Sequence, residues 1–423
     1  MRWADGDHTV DRVGSARFIE LLEHRLLCAE SLDALGAVPP LGPNFSYLPQ
    51  LQGRIIYVNP GQRIGAALDS ANPGDRVVVR PGTYKESITV SRSGAPTRPI
   101  VVCAETPGTV TIDGSGSAAV LVAADGCTDI VVSGFTISGA NNTSEGNHNA
   151  AVRSGDHWTI QDCTIQNNAG GGLGIFGDGV VVRRVTAQDN GRFGIGGSSC
   201  VNLLVQDCIS RRNNRSLADT NGGGGKFTRL EHAVIQRMQS YENGGPGLWL
   251  DVNNLHVTVT GCDFYDNRNV TSSGRTASGN GIDIEVSGTL VRSVNGTPTE
   301  VRQGPVVLET SRIHDNGNFG VLAYASRNVT IRNNTITTDQ IYLKDGGRSP
   351  YGLTRLSVLG NTIKSGWIEA DAAVVSDYRT KSLLLDHNTF ISCPTLYRWN
   401  LTTCTSLASV RSILGFEASG LAR

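Results

Sequence analysis

Three short segments, each following a turn rich in glycine or asparagine, carry the side chains best suited to chemistry. They read "GGGGKFTR" (Gly222–Arg229), "GGPGLWLD" (Gly244–Asp251) and "NGIDIE" (Asn280–Glu285). Together they supply one amine, one indole and three carboxylates, on Lys226, Trp249, Asp251, Asp283 and Glu285. An aromatic ring offers a flat apolar face and carboxylates accept hydrogen bonds, so the set suits a saccharide. Paired carboxylates also perform glycoside hydrolysis.

Alternation along these segments decides which side chains can meet. If Phe227, Leu250 and Ile284 point inward, the charged residues between them point outward from one face. We therefore predict Lys226, Asp251 and Glu285 as catalytic. The predicted substrate-binding residues are Trp249, Asp283, Arg192, Asp219 and Tyr324. The glycine run is expected to let the backbone approach a ligand, so that Lys226 stands in a shallow groove. A metal site is not assigned.

A structural interpretation of the same residues remains open. Outward charges on a repetitive scaffold commonly form a solvated face, and Lys226 with Asp251 would then be a surface ion pair of small energetic value. Two polar insertions favour the functional interpretation. "NRNVTSSGRTASGN" (Asn267–Asn280) and "GTLVRSVNGTPTEVRQG" (Gly288–Gly304) flank the acidic strand and are expected to wall a groove.

A repeat runs through most of the chain and must position these segments. An apolar alternation followed by a small polar residue and an Asn-rich turn returns mostly every 22 to 30 residues. The equivalent positions are Phe135, Cys163, Val185, Cys208, Met238, Cys262, Ser311, Asn334, Asn361 and Asn388. Short alternating strands with this period predict an all-β solenoid of about ten coils, with buried thiols at Cys163, Cys208 and Cys262 and stacked asparagines in the turns.

Both ends of the repeat look like caps, and their sequences identify the fold class. The opening "GQRIGAALDSANPGDRVVVRPGTYKESITV" (Gly61–Val90) contains a short predicted helix, Ile64–Ala71, and closely resembles the start of pectate-lyase-like proteins. The closing "TSLASVRSILGFEASGL" (Thr405–Leu421) is similar to their C-terminal helical segment. The resemblance covers roughly residues 54–420 and implies a single right-handed parallel β-helix with helical caps at both ends.

The resemblance also implies an activity. "NGGGGKF" is similar to the Asn-Gly-Phe-Lys region of lyases in this superfamily, in which a lysine removes a proton beside a uronate carboxyl and calcium neutralises the acid. Lys226 would be that base. Calcium stays open as a cofactor, because the acidic cluster expected on the preceding coil is missing: "DNGRFGIGG" supplies only Asp189. The acids near Lys226 also favour the ammonium form, which cannot act as a base.

These observations predict a carbohydrate-active protein, and the favoured activity is that of a lyase cleaving an acidic, uronate-containing polysaccharide by β-elimination. A glycoside hydrolase using the three acids is the first alternative, although the paired aspartates and Gly-His-Gly motif of β-helix polygalacturonases are absent from the sequence. For uronate epimerisation, the Asp-Pro-His-Asp signature of alginate epimerases is absent from the sequence. A non-catalytic polysaccharide-binding or adhesion protein is the alternative from another class.

Composition bounds the partners and the organisation of the chain. Lys and Arg number 37 against 38 Asp and Glu among 423 residues, so nothing in the net charge of -1 indicates nucleic-acid binding. No apolar run reaches the length of a membrane span. We expect an N-terminal segment, 1–53, carrying a leader or surface helix, and a β-helix domain, 54–423, acting as an extracellular or cell-surface monomer. A disulfide between Cys393 and Cys404 is one way to pair two of the nine cysteines.

Overall fold

The computed structural model describes residues 53–144, 146–215, 219–272, 274–294, 297–346, 348, 351–375, 378 and 380–423. The chain divides into two units, Met1–Gln50 and Leu51–Arg423. The predicted N-terminal segment 1–53, apart from Gly53, lies outside the described residues, and its boundary stays a prediction. Within the part of the chain that is described, no helix has the length and apolar character needed to cross a membrane.

Three long sheets run the length of the second unit, and each coil contributes one strand to each sheet in turn. The strands of sheet 1 are Ile55–Val58, Arg76–Val79, Ile100–Ala104, Ile130–Ser133, Thr159–Gln161, Val181–Arg183, Val201–Gln206, Glu231–Gln236, Leu255–Thr260, Val306–Glu309, Arg327–Arg332, Thr354–Leu359 and Leu383–Asp386. Those of sheet 2 are Gly82–Lys85, Val110–Asp113, Phe135–Ser138, Thr164–Gln166, Thr186–Gln188, Ile209–Arg211, Gln239–Tyr241, Asp263–Tyr265, Arg312–His314, Thr335–Thr337, Thr362–Lys364, Thr389–Ile391 and Leu421–Ala422.

Sheet 3 carries the three segments singled out above. Its strands are Ile88–Val90, Leu121–Ala123, Ala150–Arg153, Gly171–Ile175, Ile195–Ser198, Lys226–Thr228, Leu248–Asp251, Ile282–Glu285, Val321–Tyr324, Ile341–Lys344, Ile368–Ala370, Tyr397–Trp399 and Thr402–Cys404. Pairing between coils is parallel, except that the last strand of sheet 3 turns back antiparallel on its neighbour. The predicted all-β parallel β-helix is confirmed.

The repeat seen in the sequence corresponds to one column of side chains beside sheet 2. Register between the strands places the ten equivalent positions, from Phe135 to Asn388, on successive coils. Sheet 2 has thirteen strands because two precede Phe135 and one follows Asn388. These outer coils lack the repeated phrase, so the sequence pattern did not count them.

Helical segments close both ends. The N-terminal helix spans Ile64–Asp69, two residues shorter than predicted, and buries Ile64 and Leu68 on the first coils. Glu86 accepts hydrogen bonds from the backbone N–H groups of Ile64 (2.7 Å) and Gly65 (3.2 Å). A carboxylate at this position satisfies donors that a helix leaves unpaired and complements its dipole. At the C-terminus, a short helix at Leu407–Ser409 continues as a π-helical turn, Val410–Leu414.

The remaining helices and hairpins are short. A 3₁₀ turn spans Asn147–Asn149 and a helix spans Ala372–Val375. The two predicted insertions form antiparallel hairpins, Val270–Ser272 with Arg275–Ala277 and Thr289–Val294 with Thr297–Gln303.

A ladder of buried side-chain amides runs parallel to the solenoid axis in the turn between sheets 2 and 3. The Nδ2 group of each asparagine donates to the Oδ1 atom of the asparagine on the next coil, at 2.9–3.0 Å, and the last one donates to an aspartate at 2.7 Å. The ladder consists of Asn168, Asn190, Asn213, Asn243, Asn267, Asn316 and Asp339. A second ladder consists of Asn334, Asn361, Asn388 and Glu417. Stacked asparagines were predicted, and Asn168, Asn213 and Asn334 belong to these ladders.

Close packing by the protein's own atoms, in part those of the first ladder, explains the glycine run that precedes Lys226. A Cβ atom on Gly224 would lie 2.0 Å from Ser240 Oγ and 2.9 Å from Asn243 Nδ2. Cβ atoms on Gly222, Gly223 and Gly225 would lie 2.4–2.5 Å from other atoms of the protein. The glycines therefore make room for the protein's own ladder and backbone, and the expectation that they open a groove for a ligand is replaced by this packing role.

The cysteines of the repeat are core residues. Cys163, Cys208 and Cys262 are buried free thiols in the same column, separated from each other by Val185 and Met238 on the intervening coils. Burial raises the pKa of each thiol to about 12, as expected for thiols that serve as small apolar groups.

The suggested disulfide between Cys393 and Cys404 is not formed. Both are free, Cys404 is buried, and the Cys393 thiol contacts the carbonyl oxygens of Ile363 and Ile391 at 3.3 Å.

Replacing one amide in the middle of the ladder should weaken the whole fold. In Asn213→Ala, the buried backbone N–H and side-chain amide of Asn190 lose their acceptor, so we expect the free energy of unfolding to fall by about 2–4 kcal/mol. Urea denaturation followed by circular dichroism measures this change. The exposed Asn72→Ala serves as the matched control, and equal effects of the two substitutions would contradict a role for the ladder in stability.

Candidate functional site

The register of sheet 3 brings the five predicted charged and aromatic residues onto one outer face. Lys226 pairs with Trp249, and Trp249 with Asp283, so these three form one column. Asp251 pairs with Glu285, and Glu285 with Tyr324, in the neighbouring column. Phe227, Leu250 and Ile284 are fully buried between the two columns, which confirms the predicted alternation. We call Lys226, Trp249, Asp251, Asp283 and Glu285 the polar patch.

Lys226 is held by three contacts. Its Nζ atom lies 3.0 Å from Asp251 Oδ2, 3.5 Å from the centre of the Trp249 ring and 3.2 Å from Asn221 Oδ1. A carboxylate, an indole face and an amide oxygen each interact favourably with a cation. These contacts engage the Lys226 amine in the resting structure, and they would have to open before it could take a proton from a substrate.

Glu285 connects the indole to an arginine from a distant part of the chain. Its Oε2 atom accepts a hydrogen bond from Trp249 Nε1 at 3.1 Å, and its Oε1 atom pairs with Arg348. The Glu285 side chain is 7% exposed, whereas that of Arg348 is 50% exposed. Burial and, secondly, the Asp251 carboxylate raise the pKa of Glu285, while the contacts with Arg348 and Trp249 act in the opposite direction.

Asp283 is the most strongly perturbed acid of the polar patch. It is 6% exposed, and its Oδ1 atom accepts a hydrogen bond from Asn280 Nδ2 at 2.6 Å. Burial, with smaller contributions from Glu285 and Asp251, raises its pKa to about 8. A pKa of about 8 keeps Asp283 mainly protonated at neutral pH, which gives the patch a carboxylic acid beside two further acidic side chains.

The predicted bordering residues occupy different positions. Tyr324 lies next to Glu285 on the following coil, as expected. Arg192 and Asp219 form a buried ion pair with each other where the chain enters sheet 3, and Arg192 Nη1 also donates to the Thr143 carbonyl oxygen at 3.2 Å. Asp219 reaches the patch indirectly, because its Oδ1 atom accepts from the backbone N–H of Asn221, at 3.0 Å.

The two hairpins leave the coil at the corners on either side of Ile282–Glu285. The described contacts of the second hairpin are with sheet 1: Arg302 pairs with Glu231, and Glu300 pairs with Arg327 and Arg355. These ion pairs hold the second hairpin against strands of sheet 1. This is the hairpin that was predicted to wall a groove beside the acidic strand of sheet 3.

Three residues that contact the polar patch were missed by the sequence analysis. Asn221 and Asn280 lie just before strands already under consideration, and their proximity to Lys226 and Asp283 was a usable signal. Arg348 lies 63 residues after Glu285 in a loop without the repeat pattern, so only the coordinates could bring it to the patch.

The resting patch does not fit a calcium site. Among the described residues, no group of three or more His, Cys, Asp or Glu side chains is arranged to hold a metal ion. Asp251 is paired with Lys226, and Asp283 accepts a hydrogen bond from Asn280. Glu285 contacts both Trp249 and Arg348. The reactions proposed for the patch use no metal ion.

Comparisons with known proteins support the architecture. A family model described as a right-handed β-helix region matches residues 148–297, and one for chondroitinase B matches residues 58–167. No curated protein matches the sequence.

Solved structures superpose over most of the chain at low identity. The complex of XylC with xylose is 11% identical, with a TM-score of 0.64, covering 87% of this chain and 86% of that one. A mannuronic acid specific polysaccharide family 6 lyase from human gut microbiota is 13% identical, with a TM-score of 0.54 and coverage of 88% and 91%. The A-module of the Azotobacter vinelandii mannuronan C-5 epimerase AlgE6 is 16% identical, with a TM-score of 0.52 and coverage of 85% and 94%. At these identities the likeness shows the fold.

The raised pKa of Asp283 should make stability depend on pH. The folded state holds this proton more tightly than the unfolded state, in which the pKa of this aspartate is near 3.8. The contribution of Asp283 to the free energy of unfolding is therefore present at low pH and is lost as pH rises from about 4 through about 8.

Asp283→Asn keeps a neutral side chain at all pH values, so we expect its stability to rise relative to the parent between pH 5 and pH 9. Urea unfolding at both pH values measures the difference. Asp207→Asn, which alters an aspartate paired with Arg237 away from the patch, is the control. A parent-to-variant difference that is the same at pH 5 and pH 9 would contradict the protonated state of Asp283.

Proposed function

We propose, on the premise that this chain is a right-handed parallel β-helix protein of the pectate-lyase-like superfamily, that it acts on an acidic polysaccharide at the polar patch. The observation that carries the proposal is the register of sheet 3, which gathers an amine, an indole and three carboxyl groups on one outer face. Two of the structures with the same fold are named for action on a uronate polymer, one as a mannuronic acid specific lyase and one as a mannuronan epimerase.

The first reaction we propose is β-elimination. A base removes the proton from the carbon beside the uronate carboxyl, the resulting electron pair forms a double bond, and the glycosidic oxygen leaves and takes a proton. Lys226 lies at the edge of the patch, and its ammonium form suits neutralisation of the sugar carboxylate or protonation of the leaving oxygen. For Lys226 to act as the base, as predicted from the sequence, its pair with Asp251 has to open and its proton has to leave.

Glycoside hydrolysis is the second candidate, and the state of Asp283 favours it. A hydrolase needs one carboxylic acid that is protonated at working pH and a second carboxylate as base or nucleophile. Asp283, whose pKa is about 8, fits the acid, and Asp251 is a carboxylate on the adjacent column. A non-catalytic polysaccharide-binding protein would use the same surface without breaking a bond.

The setting of this activity is part of the proposal. A polysaccharide of this kind is an extracellular polymer, so we propose an extracellular or cell-surface location. A monomer is sufficient, because a single chain supplies every residue of the polar patch.

A substrate screen separates the three functions. The parent is incubated with uronate and neutral polysaccharides, with calcium or a chelator, and both ultraviolet absorbance and reducing ends are recorded. β-Elimination produces unsaturated uronides that absorb ultraviolet light, and hydrolysis produces reducing ends without that absorbance. A binding protein produces neither, but its migration is slowed in a gel that contains the polymer.

Two variants assign the roles. If Lys226 or Asp283 transfers a proton in the reaction, Lys226→Ala or Asp283→Asn should lower kcat by roughly 10²- to 10⁴-fold. Lys364→Ala, which alters an exposed lysine of sheet 2, is the control for the first, and Asp207→Asn is the control for the second. Cleavage by the parent that neither variant slows would place the reaction elsewhere on the solenoid.

A further inference from the structure

The polar patch poses an electrostatic question for any acidic substrate. Asp251 is paired with Lys226, Glu285 is paired with Arg348, and Asp283 is mainly neutral at pH 7. Both cations of these pairs are already engaged by Asp251 and Glu285, so the patch has little positive charge left to attract a sugar carboxylate. A cation with remaining hydrogen-bonding capacity must lie nearby if the substrate is acidic.

Two such cations lie around Tyr324, next to Glu285. Lys344 is the register partner of Tyr324 on the following coil, and its Nζ atom lies 4.5 Å from the centre of the tyrosine ring. The guanidinium carbon of Arg348 lies 5.6 Å from the same centre. Tyr324 donates its hydroxyl hydrogen to the Gly346 carbonyl oxygen at 2.8 Å, which ties Gly346, two residues after Lys344, to the same tyrosine. We call Lys344 and Arg348 the cation pair.

The cation pair retains the capacity to bind an anion. Arg348 is anchored at one side by Glu285 while half of its side chain stays exposed, and a guanidinium has five N–H donors in a planar arrangement. Among the residues that the structure describes, Lys344 forms no ion pair with a carboxylate, and its ammonium group contacts the Tyr324 ring. An aromatic face orients an ammonium group without neutralising it.

Glu285 connects the cation pair to the polar patch. Trp249 and Arg348 are bound to the two oxygens of one carboxylate, that of Glu285. Glu285 is therefore a positioning residue that holds an aromatic ring and a cation at a fixed separation. A sugar ring against the indole would bring neighbouring units of the same polymer toward Tyr324.

We propose that Lys344 and Arg348, arranged over Tyr324, form a subsite for the carboxylate of an acidic polysaccharide and select such polymers over neutral ones. The inference rests on the proposed function, because it takes the polar patch as the place where the polymer binds. Arg348 supplies the planar donor pair that a carboxylate accepts, and Lys344 supplies a second, point-like charge.

The test compares matched polymers with matched variants. Lys344→Gln, Arg348→Gln and the double variant are assayed for binding and cleavage of a uronate polysaccharide and of the same polymer after chemical reduction of its carboxyl groups. We expect each single variant to lower affinity for the uronate polymer roughly 10- to 100-fold, and Lys344→Gln to leave affinity for the reduced polymer unchanged. Affinity of the double variant should also depend less on salt than that of the parent.

Controls separate the subsite from the fold and from the proposed function. Arg398→Gln alters another outward cation of sheet 3, over the Trp367 ring, and should change neither affinity. Lys344→Gln keeps the test decisive even if loss of Arg348 destabilises the chain by leaving Glu285 unpaired. Equal losses on both polymers, or no loss on either, would overturn the subsite while leaving the proposed function in place. A parent that binds and cleaves neither polymer would overturn both.

Discussion

Register between successive coils is the constraint on which the rest of this molecule depends. Because each strand pairs in parallel with its counterpart on the next coil, residues far apart in sequence become direct neighbours on one surface. A shift of one residue in any coil would turn an outward acid into the core and an aliphatic residue into solvent. The buried amide ladder and the glycines packed against it oppose such a shift, since each asparagine must meet the one before and after it.

The sequence was informative wherever the arrangement is periodic. Alternation placed Lys226, Trp249 and Asp283 in one column, and the repeat located the coils that carry them. Contacts that do not follow the period were beyond its reach: Arg348 arrives from a loop two coils away from Glu285. The glycine run was read as access for a ligand because spacing cannot reveal what fills the space beside a backbone. Here the protein's own amides fill it.

The polar patch illustrates how buried acids are tolerated on a solenoid surface. Each of its three carboxyl groups has a different solution: Asp251 is paired with an ammonium, Glu285 divides its oxygens between an indole and a guanidinium, and Asp283 keeps a proton. Burial raises the pKa of Asp283 to about 8 and also raises that of Glu285, and a carboxyl group that keeps its proton near neutral pH suits acid–base chemistry. The three arrangements together leave little net charge, so recognition of an anionic polymer falls to the cations around Tyr324.

The direction of the asparagine ladders limits how such a protein can lengthen. Within each ladder every bond from an Nδ2 group to the next side-chain oxygen points toward the C-terminal end, and the last Nδ2 group donates to an acid, Asp339 or Glu417. Duplicating a block of coils upstream of these acids would simply extend a uniform series. Duplicating a block that includes the acid would place that acid inside the ladder. Once ionised, its carboxylate has no hydrogen to donate to the side chain on the next coil. Evolutionary growth by tandem copying is therefore favoured on one side of each terminating acid.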